Sequence, residues 1–85
     1  MKTIFDRRLL NERRSDMQIM VRILETSMRG AGKTEIVYTA NLNFTQAGKY
    51  LTFLLNKQLL ELSNLSVRNG KYRTTETGKA FVKRY

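Results

Sequence analysis

Apolar residues recur along this chain in two rhythms. Met17, Met20, Val21, Ile23, Leu24 and Met28 return at three- and four-residue steps, the spacing of one helix face. Ser15 or Asp16 can cap this helix, because a short oxygen-bearing side chain accepts from the first unpaired backbone N–H groups. Gly30-Ala31-Gly32 stops it. A second helix is predicted from about Thr34 to Ala40, with Thr34 as its cap and Ile36, Val37 and Ala40 as its buried stripe. Glu35 in its first turn complements the helix dipole. Asn41-Leu42-Asn43 reads as a turn. Asn43 and Gln46 have the spacing of a capping box, with Asn in place of the usual Ser or Thr. The third helix should run from about Phe44 to Lys57. Ala47, Tyr50, Leu51, Leu54 and Leu55 then point inward, and Thr45, Gln46, Lys49, Thr52 and Asn56 outward.

The rhythm then changes. Leu59 to Leu62 begins a sheet, and Leu65 to Thr75 reads LSVRNGKYRTT. Asn69-Gly70 between two β-prone runs is a strong hairpin signal, because a type I′ turn needs positive φ at both central positions. Tyr72 and Thr74 return on the second strand. Thr75 caps a last helix, with Glu76 in its first turn and Ala80, Phe81 and Val82 supplying apolar contacts. The predicted order is helix, helix, helix, strand, strand, helix, an α+β arrangement without internal repeats. Residues 1–14 mix Ile4, Phe5, Leu9 and Leu10 with basic residues, and read as either a helix or a basic arm. Residues 15–85 form the domain.

Composition narrows the chemistry. Eighty-five residues make one small domain with a limited core, and a hydrophobic content of 41% is enough to fold it. The chain has no cysteine and no histidine, which excludes disulfides, the usual zinc and iron–sulfur sites, and histidine-based nucleophilic triads. Paired carboxylates are scarce, so neither an enzyme nor a cofactor is expected. No apolar run approaches the ~18 residues of a membrane span. Asp6, Arg7 and Arg8 follow Ile4-Phe5 directly, unlike a secretory signal. A soluble cytoplasmic protein is expected. Sixteen Lys and Arg against seven Asp and Glu give a net charge of +9. That excess favours a polyanionic partner, most often nucleic acid, over a merely basic solvated surface.

Two helices joined by a three-residue turn and followed by a hairpin form a winged helix-turn-helix pattern. A helix so placed enters the major groove with its N-terminal residues at the base edges. Here those are Asn43, Thr45, Gln46 and Lys49. Gln46 suits a bidentate contact to adenine, and Lys49 reaches guanine or phosphate. The basic wing, with Arg68, Lys71 and Arg73, would lie along the backbone or in the minor groove. Lys33, Thr34 and the amides opening the second helix suit a phosphate. Each assignment has a plainer rival. The helix residues also fit an ordinary exposed face, and Arg68 and Lys71 also fit charges that protect a hairpin edge. Tyr50 falls on the apolar stripe and reads as core rather than as a base-stacking platform. Phe53 lies off the stripe, either under the wing or on a partner surface.

Ser27 to Thr34 reads SMRGAGKT, close to a phosphate-binding Walker A loop. The motif needs Gly where Ser27 stands and a strand before it, whereas this segment follows a helix pattern. It is read as a helix stop followed by a cap.

The segments TEIVYTANLNFTQAGKYLTFLLNKQLLE and GKYRTTETGKAFVKRY resemble the archaeal winged helix-turn-helix DNA-binding family related to the ten-kilodalton archaeal chromatin protein. Tyr38 to Leu42 matches a Tyr-x-Ala-Asn-Leu segment before the recognition helix. Tyr72 to Gly78 matches a Tyr-x-x-Thr-x-x-Gly segment opening the last helix. The resemblance implies double-stranded DNA as partner, a homodimer, and a transcription regulator or chromatin protein. It also marks two departures. Gln58 stands where Gly is usual, and members often continue from the last helix into a coiled coil whereas this sequence runs to Tyr85. Phe5, Leu9 and Leu10 are a candidate replacement dimer contact. Three readings follow: a sequence-selective regulator, a low-specificity architectural protein, and a winged helix used for protein–protein contacts.

Overall fold

Ser15 opens the first helix with a reciprocal cap. In the computed structural model, which describes residues 15–62 and 70–85, its Oγ accepts from the Gln18 N–H at 3.1 Å, and Gln18 Oε1 accepts from the Ser15 N–H at 3.0 Å. Helix α1 (Asp16–Thr26) buries Ile19, Val21, Ile23 and Leu24. Met17, expected inward, is exposed, and Ile19 takes its place in the core. Two apolar residues two positions apart leave the rotation of a helix open, and packing selects the stripe through Ile19 and Ile23.

Helix α2 (Lys33–Ala40) begins at Gly32, which caps it without a side-chain hydrogen bond. Thr34 is therefore not the cap; it lies inside the first turn, one residue beyond the start. Ile36 and Ala40 are buried, and Val37 is half-buried. Asn41 closes α2 in the left-handed conformation, φ 57° and ψ 54°. Its N–H donates to Tyr38 O at 3.2 Å, and the Leu42 N–H donates to Val37 O at 2.9 Å. This pairing satisfies the last carbonyls of the helix.

Helix α3 (Phe44–Asn56) follows after the predicted turn. The Gln46 N–H donates to Asn43 Oδ1 at 2.7 Å, and the Asn43 N–H donates to Gln46 Oε1 at 3.1 Å. Ala47, Leu51 and Leu54 are buried, while Tyr50 and Leu55 pack against the core from its edge. Helix α3 ends as α2 does, with Gln58 at φ 61° in the left-handed position. The Gln58 N–H donates to Leu55 O at 3.0 Å, and the Leu59 N–H donates to Leu54 O at 2.9 Å.

Strand β1 (Leu60–Leu62) pairs antiparallel with β2 (Tyr72–Thr74), placing Leu60 opposite Thr74, Glu61 opposite Arg73 and Leu62 opposite Tyr72. The sheet begins at Leu60, one residue later than the pattern suggested, because Leu59 is used in closing α3. Ala31 adds an isolated bridge beside this two-stranded sheet: it exchanges two backbone hydrogen bonds with Tyr72, both 2.8 Å. Thr74 then ties the sheet to α1. The Met28 N–H turns to Glu25 O at 3.3 Å, and Thr74 Oγ1 donates to Leu24 O at 2.6 Å. A buried carbonyl left without its helical donor is thereby satisfied.

Thr75 caps α4 (Glu76–Arg84), accepting from the Gly78 N–H at 3.0 Å and donating to Gln58 O at 2.7 Å. Gly78 is buried, and a Cβ there would meet the Leu59 carbonyl oxygen and stand 2.6 Å from Thr74 Cγ2. Glycine thus lets α4 pack on the backbone that leads into β1. Phe81 and Val82 join the core from α4, whereas Ala80, expected to pack, is exposed. Ile19, Ile23, Leu24, Ala31, Ile36, Ala40, Leu51, Leu54 and Leu60 form one cluster beneath all of these elements. The expected basic arm or helix at 1–14 lies outside the described residues, as do Arg68 and Asn69 of the predicted turn.

Candidate nucleic-acid interface

Helix α3 turns Ala47, Leu51 and Leu54 into the core, so its opposite face must meet solvent. Thr45, Lys49, Thr52 and Asn56 are exposed there, and Gln46 is exposed on the flank of that face, beside Phe53 and Asp16. The capping box fixes where this face begins. It also engages two of the predicted contact residues: Asn43 Oδ1 and Gln46 Oε1 each accept a backbone N–H.

Lys33 reaches across from α2. Its Nζ lies 5.8 Å from the centroid of the Phe44 ring, and a Cβ on Gly48 would stand 3.6 Å from it. The ammonium therefore lies against the first turns of α3, beside the exposed face. Thr34 is exposed one residue further along.

On the other side of the same loop, Gly30 takes φ 97°, a conformation that a side chain would strain. A Cβ at Gly30 would stand 3.8 Å from Arg73 Nη2 and 4.0 Å from Lys71 Cδ. Lys71, just before β2, and Arg73, within it, therefore both lie over the loop that leads into α2. Gly30 and Lys33 are three residues apart, at most ~11 Å of extended chain. Lys33 with the start of α3, and Lys71 with Arg73, are thus brought to the two ends of one short connection. Arg68 lies outside the described residues. The sheet register adds an acid to this region: Glu61 stands across from Arg73. The linear pattern of the wing alone did not show it.

The SMRGAGKT segment has no nucleotide-binding context here. Its Ser27 closes α1, its Ala31 pairs with Tyr72, and its Lys33 opens α2. Tyr50 proves to be a brace, since its hydroxyl donates to Asp16 Oδ1 at 2.7 Å and joins α3 to α1. Phe53, 44% exposed, lines two hollows. One, of about 370 Å³, is lined by Asp16, Met20, Gln46, Lys49, Tyr50 and Phe53. The other, of about 260 Å³, is lined by Met17, Met20, Phe53, Lys57, Leu59 and Phe81. Phe53 thus belongs to the α1 and α4 side of the molecule. Among the described residues, no helix is long and apolar enough to cross a membrane, and no three His, Cys, Asp or Glu side chains group as metal ligands.

Residues 13–85 match the winged helix-turn-helix family. The crystal structure of Sso10a-2, a DNA-binding protein from Sulfolobus solfataricus, is similar at 31% identity, with a TM-score of 0.76. The alignment covers 84% of this chain and 74% of that one. BpsR of Bordetella bronchiseptica, a protein whose DNA binding is regulated by 6-hydroxynicotinic acid, has a TM-score of 0.69 at 15% identity. That alignment covers 88% of this chain and 53% of BpsR, and shows a common fold alone. No curated protein matches the sequence.

Proposed function

Since the chain belongs to the winged helix-turn-helix family, we propose that it binds double-stranded DNA as a transcription regulator. Helix α3 enters the major groove, and the hairpin lies along the backbone or in the minor groove. The observation that carries this reading is the placement of Lys33 against α3 and of Lys71 and Arg73 over Gly30, in a chain of net charge +9. A duplex seated on α3 then meets one cation at the start of that helix and two more over the loop that leads into α2.

Thr45, Gln46 and Lys49 occupy the part of α3 that faces base edges, with Asn43 at its entry. Lys33 and Thr34, with the first amides of α2, hold a phosphate. Lys71, Arg73 and Arg68 supply affinity without reading sequence. We assign the protein to the cytoplasm, which its cysteine-free composition suits. A homodimer is part of the proposal, with the apolar surface around Met17, Phe53 and Phe81 as one face open to it.

One observation favours the architectural reading. Two of the four candidate base readers, Asn43 and Gln46, are tied into the cap of their own helix. Fewer free groups on α3 mean less sequence discrimination for the same phosphate affinity.

Selection from a random duplex pool, followed by binding at ~50 and ~200 mM salt, tests both. Log affinity should fall with log salt at about −0.9 per neutralised phosphate. An enriched motif supports the regulator, and paired half-sites about one helical turn apart support the dimer. Steep salt dependence without a motif supports the architectural role. Absence of binding at the lower salt would sink both.

A further inference from the structure

Gln46 lies at the third position of α3, where it serves its own helix before any partner arrives. Its Oε1 accepts the Asn43 N–H at 3.1 Å, while its backbone N–H donates to Asn43 Oδ1 at 2.7 Å. A backbone N–H can only donate. The atom facing Asn43 is therefore the carbonyl oxygen of the Gln46 amide, and the amide's orientation follows. The oxygen points back along the chain, and the NH2 group is the end left for a ligand.

A bidentate contact to adenine needs both ends at once, because the adenine edge offers the N7 acceptor beside the N6 donor. With its oxygen held by the cap, Gln46 offers two donors and no forward-facing acceptor. Guanine presents two adjacent acceptors, N7 and O6, in the major groove. We propose that Gln46 acts as a donor-only reader and selects guanine, not adenine, at the base pair it meets. This rests on the DNA-binding reading above and assigns it one element of sequence preference. The same cap explains why the preference belongs to residue 46 in particular. Thr45 and Lys49 are exposed on the same helix, but neither has an amide whose two ends can be separated in this way.

The test uses the whole chain and three proteins: the unaltered sequence, Gln46→Glu and Gln46→Ala. Glutamate at this position keeps the capping box but removes the donors and presents carboxylate oxygen, which accepts from cytosine N4. Each protein is put through selection from a random duplex pool, and base preference is then measured as ratios of affinity between matched duplexes. Ratios are the readout because the added negative charge weakens every duplex. The unaltered chain should prefer guanine over adenine at one position by about tenfold. Gln46→Glu should move that position to cytosine, and Gln46→Ala should flatten it. Circular dichroism on each variant confirms that α3 is formed. An adenine preference abolished by Gln46→Ala would overturn the inference, because the cap would then open on DNA. So would a motif that all three proteins share. Those results leave DNA binding standing. Failure of the unaltered chain to bind any duplex at ~50 mM salt would instead remove the DNA reading itself.

Discussion

Asn41 and Gln58 close consecutive helices with the same pair of backbone hydrogen bonds, at φ 57° and φ 61°. Asn tolerates the left-handed conformation because its short amide can bond locally, whereas the longer Gln side chain brings a Cβ clash and little compensation. Gln58 is also engaged through its carbonyl, which accepts from Thr75 Oγ1 at 2.7 Å, so its conformation cannot relax freely. Gln58→Gly should therefore raise stability by up to about 1 kcal/mol, net of the extra freedom glycine gives the unfolded chain. In a domain of this size that is a rise of about 4–8 °C in Tm, measurable by thermal unfolding. An unchanged or lower Tm would mean that the left-handed residue carries no strain. This position was marked by the family resemblance, in which Gly is usual where Gln58 stands. The reason was local: a helix that ends needs a residue able to reverse its φ. Gly78 was legible only as part of a motif. Its necessity lies in the Leu59 carbonyl and Thr74 methyl it packs against, and these come from elements that a linear pattern does not bring together.

The helices were the most readable elements, because their signals are complete within a few residues. Asn43 with Gln46 forms the reciprocal cap that the spacing suggested, and Ser15, one of two cap candidates, forms another with Gln18. The sheet was harder. Ala31 between two glycines has no alternating pattern, yet it extends the two-stranded sheet by a single bridge to Tyr72. Its partner lies 41 residues away (72 − 31), and only the folded chain reveals it. Strand β2 is correspondingly the element that joins the rest. It pairs with β1 and Ala31, and Thr74 reaches α1 through its hydroxyl at 2.6 Å and through its N–H to Ser27 O at 3.0 Å. Thr74→Val keeps the branched shape and removes only the hydroxyl donor, leaving the Leu24 carbonyl buried without its partner. The expected cost is about 1–3 kcal/mol, read by denaturant unfolding as a lower midpoint at unchanged slope. A Val variant as stable as the original would show that the hydroxyl does not satisfy that carbonyl.

At the scale of the whole molecule the net charge of +9 says that a polyanion is attracted, but its distribution decides how. Lys71 and Arg73 lie over Gly30, Lys33 lies against α3, and Glu61 faces Arg73 across the sheet. These placements were only partly legible. The basic hairpin could be read from residues near Asn69-Gly70, whereas the acid opposite Arg73 follows from the register. If Lys71 and Arg73 position phosphate, removing each should weaken binding to every duplex alike and make the salt slope shallower by about one. Glu61 lowers the local positive potential, so Glu61→Gln should strengthen binding to all duplexes at low salt, with the gain fading as the Debye length falls to about 8 Å at physiological ionic strength. The comparison is made by titrating one enriched and one scrambled duplex with Lys71→Ala, Arg73→Ala and Glu61→Gln at several salt concentrations. Parallel shifts on both duplexes place these residues on the backbone. A change confined to the enriched duplex would assign the returning strand a base-reading role and move part of the sequence choice from α3 to the wing.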